Sequence, residues 1–304
     1  MSTMEDKFSH LPDISTTQPD RLIKYRVSDD GFAAEVLLPG FSYTDFDRKI
    51  GGKLNLWSVA MVFQCIRYTV LEKGFGHFNR LKDANHSIFM AGTSYEFTDK
   101  GNALRTLNLW GLKQPMIARL RIIHAGTSSF TFEINLNLHK TGESLITSCM
   151  TFVYVDYRTR KSVSFPDWYN TVKPKQIFLQ APSRLVTPLV PQDAFKFEVF
   201  AAFSDMDFNG HVNQSVYVKW CTDAGTEAAI KGHYSGFSGN IGRYPISKFK
   251  VKYIGEGFVN DKFEICTWQD KVQPLRLHFV FIKDRVVNIV VELCFKSLEI
   301  DAKL

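Results

Sequence analysis

Two halves of the chain show the same succession of hydrophobic and polar positions. Each half begins with an apolar strand-like run, at residues 31–39 (GFAAEVLLP) and 194–203 (AFKFEVFAAF), followed by a short polar stretch. Each then enters a segment with apolar residues at helical spacing, which predicts helices about five turns long over residues 53–73 and 214–231. The first segment is apolar nearly all round, as is typical of a helix buried on most sides.

After its helix, each half continues in strands. Runs rich in β-branched and aromatic residues, separated by short turns, predict an antiparallel meander. The predicted strands are residues 118–126, 129–139 and 143–156 in the first half and 247–255, 261–269, 275–283 and 285–295 in the second. A strand, a long helix and antiparallel strands, present twice, predict an α+β fold in which a curved sheet wraps around each helix. Residues 74–114 match neither pattern, and no element is predicted there.

A proline-rich, basic segment separates the two halves. Residues 158–192 hold five of the 11 prolines, and their six basic residues outnumber a single acidic one. Proline removes a backbone donor and disrupts helix interiors, so an extended connector on the surface is predicted. The predicted domains are therefore an N-terminal domain at 21–157, a linker at 158–193 and a C-terminal domain at 194–300.

Composition excludes several classes of protein. With 304 residues, 45% of them hydrophobic and 22% charged, the chain resembles an ordinary globular protein. The balance of 37 basic to 31 acidic residues is too mild to indicate a nucleic-acid partner. No apolar run approaches the ~20 residues of a membrane-spanning helix, and the first twenty residues lack the pattern of a leader. Five widely spaced cysteines without a CxxC pair predict reduced thiols in an intracellular protein.

The polar stretch of the second half, FSDMDFNGHVNQ at residues 203–214, concentrates the candidate chemistry. It aligns without a gap, at an offset of 162 positions, with FSYTDFDRKIGG at residues 41–52. The aligned pairs are Phe41 with Phe203, Asp45 with Asp207, Asp47 with Asn209, Lys49 with His211 and Gly51 with Asn213. The first copy therefore keeps an aspartate but lacks the histidine, which indicates one active and one degenerate site.

Three interpretations of this stretch differ in how many residues they use. A helix cap explains Asp207 or Asn213 alone, and a metal site lacks a second ligand at usable spacing from His211. A catalytic site uses them all: Asp207 activates water or attacks an acyl carbon, while Asn209 and His211 orient water and move protons. The amides near the helix N-terminus favour a developing oxyanion. Gly210 allows a substrate close to the backbone.

The segment DMDFNGHVNQSVYVKW resembles the signature of hotdog-fold acyl thioesterases, including the 4-hydroxybenzoyl-CoA thioesterase group. In tandem layout the chain is most similar to the fatty acyl-ACP thioesterases, in which two hotdogs are fused and the second carries the catalytic residues. The resemblance implies a double hotdog with Asp207, Asn209, His211 and Glu256 (in KVKYIGEGFVND) as catalytic residues. We expect Gly210, Val212 and Asn213 to bind substrate at this site. Some relatives have a cysteine after the glutamate, where this chain has Gly257, so carboxylate-assisted hydrolysis is expected rather than a cysteine nucleophile.

The predicted activity is hydrolysis of medium- to long-chain acyl thioesters, with CoA preferred over acyl carrier protein and no metal or organic cofactor. Either Asp207 or Glu256 is the base, and the acyl tail is expected between the halves. Two alternatives stay open: a hotdog enoyl-CoA hydratase, whose D-x-N-P-x-H motif places the histidine one residue later, and a non-catalytic acyl-CoA-binding protein. The protein is expected to be a monomer or a homodimer.

The final tripeptide Ala302-Lys303-Leu304 is a conservative variant of the SKL peroxisomal address. It predicts recognition by the peroxisomal import receptor and a peroxisomal location, with a cytoplasmic one otherwise. Peroxisomal fatty-acid chemistry uses CoA thioesters, and this is the reason that CoA is the preferred carrier.

Overall fold

The structure is a computed structural model that describes residues 7–47, 52–104, 114–174 and 185–298. Within these ranges it contains five α-helices and eleven β-strands. The helices are α1 (Leu56–Leu71), α2 (Phe78–Leu81), α3 (Asp99–Leu104), α4 (Asp167–Val172) and α5 (Gln214–Ile230). The strands are β1 (Lys24–Val27), β2 (Ala33–Leu38), β3 (His86–Phe97), β4 (Met116–Ala125), β5 (Ser129–Leu138), β6 (Ser144–Asp156), β7 (Phe195–Phe200), β8 (Ile246–Tyr253), β9 (Lys262–Gln269), β10 (Arg276–Lys283) and β11 (Val286–Phe295).

The elements predicted from periodicity are confirmed. Both long helices, α1 and α5, lie within the predicted ranges, and every run predicted as a strand forms one. Strand β3 was not predicted, because its twelve residues show no regular alternation of buried and exposed positions and include Gly92, Thr93 and Ser94. No helix in the described ranges has the length and hydrophobicity that a bilayer span requires.

The chain divides into two compact units that interleave in sequence. The first unit comprises residues 1–42, 63–93 and 109–183, and the second comprises residues 43–62, 94–108 and 184–304. The first polar motif therefore belongs to the same unit as the second. The domain boundaries at 21–157, 158–193 and 194–300 stay a prediction.

In the first unit, an antiparallel sheet has the strand order β1-β2-β4-β5-β6, with β3 next to β6. The rings of Phe130, Phe132 and Phe152 stack on this sheet with centroids 5.3–6.2 Å apart. Arg67 of α1 is buried against the same surface, with its guanidinium 5.5 Å from the Phe152 ring centroid. Apolar and cation–π contacts therefore hold the C-terminal part of α1 on the sheet.

In the second unit, the strand order is β8-β11-β10-β9-β7. Helix α5 packs on β7 and β9, and the buried ring of Trp220 lies 5.7 Å from Phe263 and 6.4 Å from Phe281. Gly225 allows a close approach at the middle of the helix, since a Cβ there would lie 2.4 Å from Ile241 Cδ1. The α+β class is thus confirmed, with a long buried helix against an antiparallel sheet.

The predicted linker is not extended throughout. Residues 167–172 form α4, and Phe165 and Tyr169 are buried with relative exposures of 3% and 0%. The Tyr169 ring lies 4.6 Å from Phe165 and 6.5 Å from His77. The prediction of a surface connector was wrong here because aromatic burial outweighs the local effect of Pro166, which precedes the first turn where proline is tolerated.

Replacing Tyr169 tests whether this part of the linker is docked. We expect Tyr169→Ala to lower the free energy of unfolding by about 3–5 kcal/mol, the usual cost of removing a buried aromatic ring. Tyr169→Phe is the matched control, because the hydroxyl has no hydrogen-bond partner among the described residues and its removal should be neutral or stabilising. Urea denaturation measures both, and equal stability of Tyr169→Ala and the wild type would contradict the docked segment.

Candidate active site

The second motif folds into a compact loop in front of α5. A 3₁₀ turn at Phe203–Asp205 leads to an antiparallel bridge between Met206 and Val212. The Asp207 N–H donates to the His211 carbonyl at 2.7 Å, and the Gly210 N–H donates to the Asp207 carbonyl at 3.0 Å. Gly210 has φ +77°, a left-handed conformation that favours glycine. The turn therefore depends on the glycine in DFNGH.

The Asp207 carboxylate is bonded inside this loop. Its Oδ1 accepts hydrogen bonds from the Asn209 N–H at 2.8 Å and the His211 N–H at 3.3 Å. Its Oδ2 has a longer contact, 3.5 Å, with the Asn209 side-chain amide. Asp207 thus orders the backbone that carries Asn209 and His211, as aspartate commonly does in turns.

A second loop brings Glu256 to His211. The Val212 N–H donates to the Gly257 carbonyl at 2.8 Å, which joins the motif to the β8–β9 connection. Glu256 Oε1 then lies 3.6 Å from His211 Nδ1, and the two side chains are 31% and 18% exposed. The imidazole also meets the Phe258 ring edge-on at 5.2 Å. The structure therefore places three of the four predicted catalytic residues, Asp207, His211 and Glu256, around one loop pair, with Asn209 exposed beside them.

Lys283 supports this second loop and was not predicted. Its Nζ donates to the Glu256 carbonyl at 3.0 Å and to Asp261 Oδ2 at 2.8 Å, and it lies 5.3 Å from the Phe258 ring centroid. Asp261 Oδ2 also accepts from the Phe258 N–H at 2.7 Å, so Lys283 holds the backbone directly at Glu256 and through Asp261 at Phe258. The sequence carries a weak signal for it, a lysine that ends the apolar strand LRLHFVFIK.

The backbone amides predicted to polarise a substrate carbonyl are already bonded within the protein. The Gly210 and His211 N–H groups donate to Asp207, and the Val212 N–H to Gly257. The Asn213 N–H donates to the Asp205 carbonyl at 2.8 Å. The predicted oxyanion role of these amides therefore has no geometric support, because the loop's own fold uses them. Asn209 offers a side-chain amide in their place.

Asn213 is the N-cap of α5. Its Oδ1 accepts from the Ser215 N–H and the Ser215 hydroxyl, each at 2.9 Å. Such a cap typically stabilises a helix by ~1 kcal/mol. The cap interpretation thus holds for Asn213, whereas substrate binding by Gly210, Val212 and Asn213 stays a prediction.

Gly257 lies where a side chain has no room. A Cβ at this position would be 2.8 Å from each of three atoms: Tyr217 Oη, Val212 Cγ2 and Phe263 Cζ. Burial raises the pKa of Tyr217, so the buried hydroxyl is neutral, and the Gly257 N–H bonds to its oxygen. A side chain at this position would therefore require its neighbours to shift.

The first motif superimposes on the second with a different register from the gapless alignment. The hydrogen bonds Asp47 N–H to Lys53 O (2.8 Å) and Asn55 N–H to Asp45 O (2.9 Å) repeat those of the second motif. The equivalent pairs are Asp45 with Asp205, Asp47 with Asp207, Lys53 with His211 and Asn55 with Asn213. The offset of 162 was wrong on both sides of the loop: the equivalent residues are 160 positions apart before it and 158 after it, since the loop between Asp47 and Lys53 is two residues longer than its counterpart. Lys49 and Gly51 lie outside the described residues.

Comparisons with known proteins agree with this fold. Residues 191–290 match the family model of the acyl-ACP thioesterase C-terminal domain. An acyl-ACP thioesterase from Bacteroides thetaiotaomicron is similar in structure, with a TM-score of 0.64, 15% identity, and coverage of 87% of this chain and 98% of that one. The 12:0-ACP thioesterase from Umbellularia californica has a TM-score of 0.66 and 14% identity, with coverage of 91% and 98%. No curated protein sequence matches the chain.

The fold is therefore a tandem hotdog, as the sequence predicted. The resemblance to hotdog-fold acyl-ACP thioesterases is confirmed, and the matched domain contains Asp207, Asn209, His211 and Glu256. Among the described residues, no group of three His, Cys, Asp or Glu side chains is arranged to hold a metal ion.

The packing around Gly257 makes a testable prediction. We expect Gly257→Ala to lower the free energy of unfolding by about 1–3 kcal/mol, because the added methyl group overpacks the site. Combining it with Tyr217→Phe removes one of the three close contacts, so the double variant should be more stable than the sum of the single changes by at least ~0.5 kcal/mol.

Gly126→Ala is the matched control for this substitution. Its φ is not left-handed and the nearest atoms to a Cβ lie at 3.5 Å, so we expect a change within ~0.5 kcal/mol. Chemical denaturation of the four variants gives the comparison. If Gly257→Ala matches Gly126→Ala, the β8–β9 loop has room for a side chain and the packing argument fails.

Proposed function

We propose that the protein hydrolyses fatty acyl thioesters to the free acid and the thiol. The observation that carries this proposal is the pair formed by His211 and Glu256. Their Nδ1 and Oε1 atoms lie 3.6 Å apart, beside the loop that Asp207 orders. A carboxylate beside an imidazole can take a proton from water and return it to a leaving group. The match to the acyl-ACP thioesterase C-terminal domain supports the same reaction.

In the proposed mechanism, Glu256 is the general base. It takes a proton from a water molecule, directly or through His211, as the water oxygen attacks the thioester carbonyl carbon. The side-chain amide of Asn209 donates to the developing oxyanion. When the C–S bond breaks, Glu256 returns this proton through the imidazole of His211 to the sulfur, and the products are a carboxylic acid and a thiol. Asp207 acts as the positioning residue for this loop.

The substrate is proposed to be a medium- to long-chain acyl group on CoA, with acyl carrier protein as the other carrier. A fatty acyl group is supported by the names of the structural relatives, which are acyl-ACP thioesterases. A panel of acyl-CoA and acyl-ACP substrates from 8 to 18 carbons, assayed by thiol release, ranks the carriers and chain lengths by kcat/KM. CoA preference predicts a higher kcat/KM for acyl-CoA at the best chain length.

Substitution of the loop residues separates the roles of the two carboxylates. We expect Glu256→Gln and His211→Ala each to lower kcat/KM by about 10²–10⁴-fold, the usual contribution of acid–base catalysis. Asp207→Asn should lose less than Glu256→Gln, because an amide oxygen can still accept the backbone hydrogen bonds of Asn209 and His211. Asp205→Asn is the control for a carboxylate in the same loop, whose Oδ2 accepts only a structural bond from the Ala202 N–H at 2.9 Å.

The same assay decides between the two carboxylates and between functions. A larger loss for Asp207→Asn than for Glu256→Gln would make Asp207 the base. Acyl-CoA binding without thiol release, unchanged by Glu256→Gln, would favour the acyl-binding protein. Loss of the conjugated-thioester absorbance of an enoyl-CoA would favour the hydratase.

The peroxisomal location is proposed on the tripeptide Ala302-Lys303-Leu304 alone, which lies outside the described residues. Removal of these three residues from a protein tagged at its N-terminus should shift it from peroxisomes to the cytosol. An unchanged distribution would contradict the address.

A further inference from the structure

A pocket of about 610 Å³ lies beside the first polar motif, entirely within the second unit. Its volume is in the ~300–1,000 Å³ range of small-molecule sites. One wall consists of motif residues, including Asp47, Lys53 and Asn55. These occupy the positions that Asp207, His211 and Asn213 hold in the second motif. The pocket is therefore built on the duplicated copy of the proposed catalytic loop, and it contains none of the proposed catalytic residues.

The opposite wall is a polar stripe on α5. Lys219, Thr222, Asp223 and Thr226 line the pocket, and their spacing of i, i+3, i+4 and i+7 places them on one face of the helix. The neighbouring positions Val218, Cys221, Ala224 and Gly225 are buried. Two of these residues also serve the fold, since the Thr222 hydroxyl donates to the Val218 carbonyl at 3.1 Å and the Thr226 hydroxyl accepts from the Ile241 N–H at 3.3 Å. The charged groups that the stripe brings to the pocket are Lys219 and Asp223.

The first motif keeps the frame of the second loop but changes its chemistry. Asp47 and the backbone bonds of the loop are retained, whereas a lysine, Lys53, replaces the histidine and is 8% exposed. Asn240 extends the wall by donating from Nδ2 to Asp47 Oδ2 at 3.4 Å. An ammonium group at the histidine position binds anions but does not exchange a proton as imidazole does at neutral pH. The copy is thus equipped for binding and not for hydrolysis.

We propose that this pocket binds phosphopantetheine, the arm shared by CoA and acyl carrier protein, without cleaving its thioester. Lys53 and Lys219 match the phosphate, and the carboxylates of Asp47 and Asp223 match the amide N–H groups and the hydroxyl of the arm, which donate to them. Asn240 and Thr226 shape the wall, since Asn240 bonds to Asp47 and to the Gly242 N–H and Thr226 accepts from the Ile241 N–H. The ligand class rests on the proposed function, whereas the pocket does not. The protein then has two sites for one carrier, and the first-motif site holds substrate or product without turnover.

Two tryptophans report on the two sites separately. Trp57 lines the pocket, and Trp220 packs beside Tyr217 under the catalytic loop, with ring centroids 5.7 Å apart. The full-length protein labelled with 5-fluorotryptophan gives a ¹⁹F resonance for each, assigned with Trp57→Phe and Trp220→Phe. The ligands are 4′-phosphopantetheine, CoA and a holo carrier protein, with adenosine 3′,5′-bisphosphate as the control that lacks the arm.

We expect 4′-phosphopantetheine to shift the Trp57 resonance, and Lys219→Glu to weaken that titration by about tenfold or more, the effect of one charge-assisted contact. Lys271→Glu, in an exposed turn away from the pocket, is the matched control and should leave the titration unchanged. The relative affinities for CoA and the holo carrier protein identify the source of the arm. These titrations require no turnover.

Three results would overturn the inference: a Trp57 resonance that no ligand shifts, a shift of the Trp220 resonance alone, or equal affinities for 4′-phosphopantetheine in Lys219→Glu and Lys271→Glu. A shift caused by adenosine 3′,5′-bisphosphate alone would also overturn it, since the arm would then be irrelevant. Thiol release measured on the same preparation tests the proposed function independently, so the failure of one is distinguishable from the failure of the other.

Discussion

The hydrogen bond from the Val212 N–H to the Gly257 carbonyl connects the two loops on which the candidate active site depends. Through it, the motif in front of α5 is held against the β8–β9 connection, and the imidazole of His211 comes to face the Glu256 carboxylate. The contact is possible because residue 257 has no side chain and because Lys283 holds the Glu256 carbonyl. Backbone contacts thus set the geometry of the side chains that carry the proposed chemistry.

Duplication explains why one unit contains two copies of the same loop with different chemistry. The loops around Asp47 and Asp207 share two backbone hydrogen bonds and one antiparallel bridge, but a lysine in one copy stands where a histidine stands in the other. The proposed roles of this shared frame are proton transfer in the second copy and anion binding in the first.

Much of the fold was predictable, because periodicity is a local property. The helical spacing that predicted α1 and α5 and the apolar runs that predicted β4–β6 and β8–β11 reflect which face of each element is buried. Strand β3 was not predicted, since its buried and exposed residues do not alternate regularly along the strand. The linker prediction failed at Tyr169 because proline content reports local stiffness, whereas that ring is held by distant aromatic residues such as His77.

At the site, the sequence by itself determined the chemistry of the loop: the aspartate, the asparagine, the histidine and the glycine lie within one turn, so their proximity follows from chain connectivity. Only the tertiary structure decided which groups they face. The amides expected to bind an oxyanion are used by the loop itself, and Asp47 rather than Asp45 is the counterpart of Asp207. The physical reason is that hydrogen bonds between segments distant in sequence, and the length of the loop that closes them, leave no periodic signal in the chain.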